Sequence, residues 1–435
     1  MKSVNIGLVG LGTIGKGVVD AVISNRDLIA VRTGVSLCLI AACDKDDNAF
    51  SGLDMEKYGI KRLSTEELLA DKDVDIVVEL IGGVHPAKEI ILRALKNKKH
   101  VVTANKALLS ECWNEIFETA TDNGVFVNFE ASVGGAIPVI RTIRESLAAN
   151  RINTVYGILN GTTNFILTTM ESNGVSFAQA LELAQQKGIA ERDPELDISG
   201  KDSAHKLAIL SMLCFGISVS PDDIYTEGIN HITAQDIINA EKWGYSIKLL
   251  AIAKSTSGGV EVRVHPTLLS NSHLLTDVRG ADNAVFIVGD LVGESLLFGK
   301  GAGRKPTTSS VMGDIVDIAK HIVFCGKNNP VPYYMKYAPE GQCIIDMDKL
   351  EMSYYLRFSV TDKPGVLAGI SSVLSENGIS IASVSQEERR EGETVPVIIL
   401  THKAQEGRMR NAIKKIDDFD FIMAKTVVIR MEDRI

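Results

Sequence analysis

The chain has 435 residues, of which 45% are apolar and 23% charged, ordinary globular usage that excludes a fibrous or disordered chain and, at about 150 residues per domain, allows roughly three domains. Forty-six basic against 55 acidic residues give a net charge of -9 with no Lys/Arg block to offset it, which speaks against nucleic-acid binding. Six scattered cysteines without a CxxC pair point to a reducing, cytoplasmic setting, and no stretch nears the ~20 apolar residues of a membrane span or reads as a secretory signal.

An apolar run from Val4 to Val9 ends in Gly10-Leu11-Gly12-Thr13-Ile14-Gly15, after which Val18, Val19, Val22 and Ile23 recur at helical spacing. A glycine triad between a strand and a helix is the context of a dinucleotide-binding turn. Gly10 permits the turn, Gly12 lets backbone approach a pyrophosphate, Gly15 lets helix and strand pack closely, and the helix N–H groups meet the anion. The runs 37–42, 76–80, 101–103 and 125–129 read as further strands, with helices at 66–69, 90–95 and 113–120 between them. That alternation calls for a parallel sheet covered on both faces.

Asp44, at the end of the second strand, reads either as the acid that binds an adenosine ribose diol, favouring NAD, or as a turn residue in the cluster 44–48. The adjacent Lys45 suits a ribose phosphate, as in NADP. Gly82, in Ile81-Gly82-Gly83, lies where a cofactor ring can rest on backbone, and His85 follows as a loop residue or a base. The fourth strand closes in Thr103-Ala104-Asn105-Lys106, on the same edge of the sheet. Lys106 reads as a donor to a substrate carbonyl oxygen or as a solvated surface lysine.

A glycine-rich bend, Glu130 to Pro138, opens a second domain with helices expected at 137–149, 162–172, 176–187 and 199–215 and strands at 245–254, 260–268 and 284–298. Within it Glu191, Asp193, Glu195, Asp197 and Asp202 gather beside Lys206. Asp202 and Lys206 are four residues apart on one helix face, so the acid can fix the lysine as a proton donor while Glu191 and Asp197 hold a substrate ammonium group. A solvated acidic turn with a surface ion pair is the alternative. After Gly301-Ala302-Gly303, a helix bearing Val311, Ile315, Val316 and Ile318 is expected to return to the first domain. The stretch 328–332 breaks structure before a linker to about 350. The remainder reads strand, helix, strand, strand, helix, strand at 354–360, 364–376, 379–386, 394–401, 407–415 and 421–430, the split βαβ order.

Thr103 to Lys106, Glu130 to Pro138, Asn160-Gly-Thr-Thr-Asn164, Asp193-Pro with Asp197 to Gly200, and Gly301 to Thr307 together resemble homoserine dehydrogenase over roughly residues 1–345. The resemblance implies reversible NAD- or NADP-dependent reduction of L-aspartate 4-semialdehyde to L-homoserine. It implies Lys106 and Lys206 as the active-site lysines, Asp202 as the acid orienting the second, and Glu191 as a substrate ligand. It also implies a sodium or potassium site at Glu130, Val133, Gly135 and Ile137, and a cofactor contact at Gly303. Ile189 stands where the family often has an aromatic residue, and residues 303–310 depart from its usual smaller ones.

Asp362-Lys-Pro-Gly-Val-Leu367 and Asn377-Gly-Ile-Ser-Ile381 resemble the two loops of an ACT domain, which implies pairing with a second copy and an amino-acid effector, L-threonine, facing Asp362, Asn377 and Ile379. A dimerisation module without ligand is the alternative. The expected architecture is α/β: a Rossmann domain over 1–135 with about 304–345, an α+β catalytic and dimerisation domain over 136–303, and a ferredoxin-like ACT domain over 350–435. With the first strand at residue 4, no kinase half is expected to precede it. The expectation is a cytoplasmic homodimer or homotetramer without nucleic-acid or membrane partners. A different lysine-using semialdehyde or imine dehydrogenase and an amino-acid sensor on a silent dehydrogenase fold are the rival readings.

Overall fold

The computed structural model describes residues 2–326, 343–386 and 393–432. The expected break at 328–332 lies outside them. In chain order the elements begin β1 (Ser3–Val9), α1 (Thr13–Ser24), α2 (Arg26–Thr33), β2 (Ser36–Cys43), β3 (Lys61–Arg62), α3 (Thr65–Ala70), β4 (Ile76–Glu79), α4 (Ala87–Lys96), β5 (His100–Thr103), α5 (Lys106–Asn123), β6 (Val127–Asn128) and α6 (Val139–Arg141). They continue with β7 (Ile152–Ile158), α7 (Gly161–Asn173), α8 (Phe177–Gln186), α9 (Glu195–Ile198), α10 (Lys201–Phe215), β8 (Tyr225–Thr226), α11 (Ala234–Lys242), β9 (Tyr245–Thr256), β10 (Gly259–Ser270), β11 (Asp282–Gly289), β12 (Gly293–Lys300) and α12 (Arg304–Phe324). The chain closes with β13 (Glu351–Thr361), α13 (Val366–Glu376), β14 (Ile381–Ser385), β15 (Thr394–Thr401), β16 (Ala404–Gln405), α14 (Glu406–Asp417) and β17 (Ile422–Glu432).

These form two compact units. The first takes residues 2–151, 208–221 and 289–326. Its six strands are all parallel, in the order β3-β2-β1-β4-β5-β6. The order reverses between β1 and β4, which leaves a crevice at the carboxyl edge of the sheet. Helix α12 returns to this unit as expected. Its Val311, Ile315 and Ile318 join Val4, Ile6, Leu8 and Val18 in one core. Gly17 of α1 lets Thr308 approach, and Arg304 pairs with Asp20 at 2.6 Å.

The second unit takes residues 152–207, 222–288 and 343–432. Its sheet runs β11-β7-β9-β10-β17-β13-β15-β14. β9 and β10 pair antiparallel along their whole lengths, and β17 lies parallel to β10 with Thr267 opposite Arg430 and Leu269 opposite Glu432. The C-terminal module, with strand order β17-β13-β15-β14 and α13 and α14 packed on a core of Tyr354, Leu356, Phe358, Ile370, Ile399 and Ile416, therefore continues the sheet of residues 152–288.

Several expectations are corrected. Asn153, Thr154 and Gly157 dilute the apolar alternation of β7, which exists through its pairing with β9. Helices α2 and α11 also go beyond the sequence reading. The helix expected at 137–149 is a short α turn followed by a π-helical turn at Thr142–Ser146. The run 284–298 is two strands, β11 and β12, parted by a turn at 290–292, with Gly293 in the left-handed region at φ +67°.

Candidate active site

In the first unit the ends of β1, β2, β4 and β5 meet at one edge. Gly10 sits at φ +98°, where a Cβ would press on Leu80 and Ile81, and a Cβ on Gly15 would overlap the Gly10 carbonyl. Gly12 has nothing within 4 Å of a Cβ position and caps α1 without any side-chain hydrogen bond. Leu11, Gly12, Thr13 and Ile14 thus lead into a helix start with backbone N–H groups suited to a phosphate, and the cradle fits a dinucleotide. Asp44 lies beside it: one carboxylate oxygen accepts from Leu11 N at 2.6 Å and the other from Asp46 N at 2.9 Å. Asp44 therefore holds its own turn and braces the glycine loop.

Glu79, fully buried at the end of β4, went unnoticed in the sequence. It accepts from Thr103 Oγ1 at 2.6 Å, from Ile81 N at 2.8 Å and from Gly82 N at 3.2 Å, so one carboxylate ties the ends of β4 and β5 together. Asn105 extends the tie: Nδ2 donates to Gly83 O at 2.6 Å and Oδ1 caps α5 through Leu108 N. Lys106, the first residue of α5, is half-buried on this edge. His85 is exposed and pairs with Glu89 at 2.7 Å. Gly303, at φ +118°, precedes α12.

The bend at 130–137 is rigidly held within the same unit. Glu130 is buried, and its two carboxylate oxygens accept from Ile140 N and Arg141 N, each at 2.8 Å. Burial raises its proton affinity, and those backbone bonds oppose the rise. Asp314 accepts from Glu130 N at 2.8 Å and is pushed up to about 8, first by burial and then by the Glu130 charge. Gly135 O accepts from Ser310 at 2.6 Å, and Ile137 O from Val139 N at 2.8 Å. Gly135 lies so close to Gly301 that a Cβ would overlap it. The oxygens of Glu130, Val133, Gly135 and Ile137 are hard donors with more than one lone pair each, so an oxygen that accepts one hydrogen bond keeps capacity for a hard cation.

In the second unit, Lys206 and Asp202 come together as their spacing predicted. Lys206 Nζ donates to Asp202 Oδ2 at 2.7 Å and to Leu159 O at 2.6 Å, with both side chains buried. Asp197 on α9 is brought to the same place by Asn160, the N-cap of α7: Nδ2 donates to Asp197 Oδ1 at 2.7 Å and to Asp202 Oδ2 at 2.8 Å. The loop between is pinned by Thr162 Oγ1 donating to Ile189 O at 3.1 Å and by Gln185 Nε2 donating to Glu191 O at 3.2 Å. Glu191 itself stays exposed.

The C-terminal loops are partly as expected. Asp362 takes a 3.5 Å bond from Gln386 Nε2, and Asn377 closes α13 with Nδ2 donating to Val373 O at 2.7 Å. Ile379 follows in the same loop with its side chain, 4% exposed, in the module's core, which leaves its backbone as the part toward the loop surface.

Family models match three consecutive parts of the chain: Homoserine dehydrogenase, NAD binding domain, at residues 10–130, Homoserine dehydrogenase at 138–316, and ACT domain at 354–418. The homoserine dehydrogenase of Neisseria gonorrhoeae is 44% identical and that of Pseudomonas aeruginosa 43% identical, each match covering 99% of both chains. The crystal structure of a homoserine dehydrogenase from Thiobacillus denitrificans aligns with a TM-score of 0.93 at 42% identity, over 100% of this chain and 99% of that one. A hyperthermophilic archaeal homoserine dehydrogenase in complex with NADPH aligns with a TM-score of 0.60 at 28% identity, over 73% of this chain and 98% of that one.

Proposed function

The chain belongs to the homoserine dehydrogenase family of NAD(P)-dependent oxidoreductases, and from that premise we propose how its own residues carry the interconversion of L-aspartate 4-semialdehyde and L-homoserine. The observation that carries the reading is the buried lysine held by Asp202 and Leu159 O beside Asp197. Reduction leaves negative charge on the aldehyde oxygen. The Lys206 ammonium, fixed by two short hydrogen bonds, stabilises that charge and gives up a proton, and in the oxidation direction Lys206 accepts the hydroxyl proton. Glu191 and Asp197 hold the substrate ammonium group, and Lys106 serves as the family's other active-site lysine.

A bound NAD or NADP supplies the hydride chemistry. Residues 10–15 would hold its pyrophosphate, Gly82 and Thr103 would border its ring, and Asp44, Lys45 and Gly303 would lie along it. The test is Lys206→Ala in folded protein: kcat/KM for homoserine falls about a hundredfold or more. Near-normal turnover would overturn the assignment.

Sodium or potassium would occupy the Glu130, Val133, Gly135 and Ile137 oxygens, which supports the buried Glu130 charge. Exchanging sodium for choline at constant ionic strength lowers the melting temperature of the wild type, and Glu130→Gln abolishes that difference. An unchanged melting temperature of the wild type in choline would count against the site.

L-Threonine is proposed as the effector of the C-terminal module, at the loops of Asp362 and Asn377. Hydrogen bonds link the module's last strand to the substrate end. Arg430 of β17 bonds Glu406, Glu227 and Tyr225 beside β8, and Ile229 N, just after β8, donates to Ile198 O at 2.9 Å, next to Asp197. Replacing Asp362 and Asn377 together by alanine raises the threonine concentration for half inhibition about tenfold; unchanged inhibition would remove the proposal.

A further inference from the structure

We propose that Asn160 is a positioning residue for this reaction, holding the substrate-binding carboxylate of Asp197 and the lysine-orienting carboxylate of Asp202 with the two N–H groups of a single amide. The inference rests on the homoserine dehydrogenase reading and goes beyond it. Asn160 is 4% exposed, and every polar atom of its side chain is engaged. Oδ1 accepts from Thr163 N at 2.9 Å and caps α7. That bond fixes the amide plane and leaves Nδ2 with two protons and two acceptors, Asp197 Oδ1 and Asp202 Oδ2.

Among the described residues, the charged groups bonded to the amide are Asp197 on α9 and, on α10, Asp202, which in turn accepts from Lys206. An apolar residue at 160 would leave two carboxylates close together with nothing between them, and their repulsion would swing the α9 segment away from Lys206. Asp202 Oδ2 accepts from both Asn160 and Lys206, so the orientation of the lysine depends on the asparagine through one shared oxygen. A helix cap alone needs only Oδ1. The double donation is what marks a second role.

Two variants separate that role from capping, because Asp and Ser both accept an N-cap hydrogen bond. Asn160→Asp keeps the shape and the cap but presents oxygen where Nδ2 was. The added negative charge makes Lys206 hold its proton more tightly, so the rising limb of homoserine oxidation against pH moves alkaline by about one unit or more. Asn160→Ser keeps the cap and loses both donors. There KM for homoserine rises and kcat falls, each about tenfold, in protein that remains folded at the assay temperature, while KM for the cofactor stays near wild type.

Wild-type KM, kcat and pH profile in both variants would overturn the proposal. So would a loss of activity that merely follows a loss of folded protein, which is what a cap alone predicts. A wild type that never turns over homoserine would instead refute the reaction on which the proposal stands.

Discussion

A buried carboxylate is tolerated only where donors surround it, so Glu79, with no exposure and three hydrogen bonds, marks where the cofactor edge is built. Glu79→Ala would orphan the Thr103 hydroxyl and two backbone N–H groups. It should cost about 3 kcal/mol of stability and raise the cofactor KM about tenfold, with Glu79→Gln intermediate; thermal melts and cofactor titration check this, and a wild-type melting temperature in the alanine variant would contradict it. At this scale the sequence revealed residues whose partners are near in the chain. Asp202 and Lys206 are one helical turn apart, and the glycines at 10, 12 and 15 lie in one loop. Glu79 reaches 24 residues to Thr103, and Asn160 reaches 37 and 42 residues to its acids, distances over which spacing carries no signal.

At the scale of elements, strand β17 brings buried charges into the sheet. Glu432 accepts from Arg263 at 2.6 Å, Lys254 at 2.6 Å and Tyr156 at 2.9 Å. Burial would raise it, but the Arg263 and Lys254 charges win and hold it at about 2. Beside it, fully buried His265 is held well below its usual value of 6.5, chiefly by burial and then by the Arg430 and Arg263 charges. Arg263 Nη1 donates to its Nε2 at 2.9 Å, so the ring is neutral with Nδ1 facing Pro266 O.

A buried neutral histidine binds fewer protons than the unfolded chain does once the pH drops below about 6.5, so its contribution is present above that pH and lost on acidification. Glu432 adds the same sign lower down: its contribution is present above 4.5 and lost as pH falls toward about 2. Asp314, pushed up to about 8, acts with the opposite sign over the same range, so the ring is tested by comparison: between pH 6.5 and 5 urea unfolding should show the wild type losing about 1 kcal/mol per pH unit relative to His265→Gln. A difference between wild type and His265→Gln that stays constant across that range would contradict the neutral ring.

Element order was readable where propensity and pattern agree, as in β1-α1, α12 and the whole C-terminal module. It failed for β7, a strand by virtue of its neighbour, and for 137–149, where the Glu130 carboxylate caps the N–H groups of Ile140 and Arg141 and the short α turn passes into a π-helical one at Thr142–Ser146.

For the whole molecule, the sequence suggested a C-terminal module joined by a linker, whereas the fold adds its last strand to the sheet of residues 152–288. No periodicity announces which strand a terminal strand will join, so this could not be read in advance. It changes how regulation is tested. Deleting residues 350–435 removes Glu432 from fully buried Arg263, and stripping one partner from a buried ion pair costs about 3–5 kcal/mol. The truncated chain should therefore melt far below the full one or fail to fold, whereas the Asp362 and Asn377 variants should melt near wild type. A truncated chain as stable as the full one would contradict the shared sheet.

The central claim is tested most directly by following reduced-nicotinamide absorbance as the folded full-length protein oxidises L-homoserine, with NAD and NADP in parallel and sodium or potassium present. Turnover with at least one cofactor is the predicted result, and the preferred one decides between Asp44 and Lys45 as the ribose selector. No turnover with either would contradict the account and leave an amino-acid sensor or another semialdehyde as its replacement.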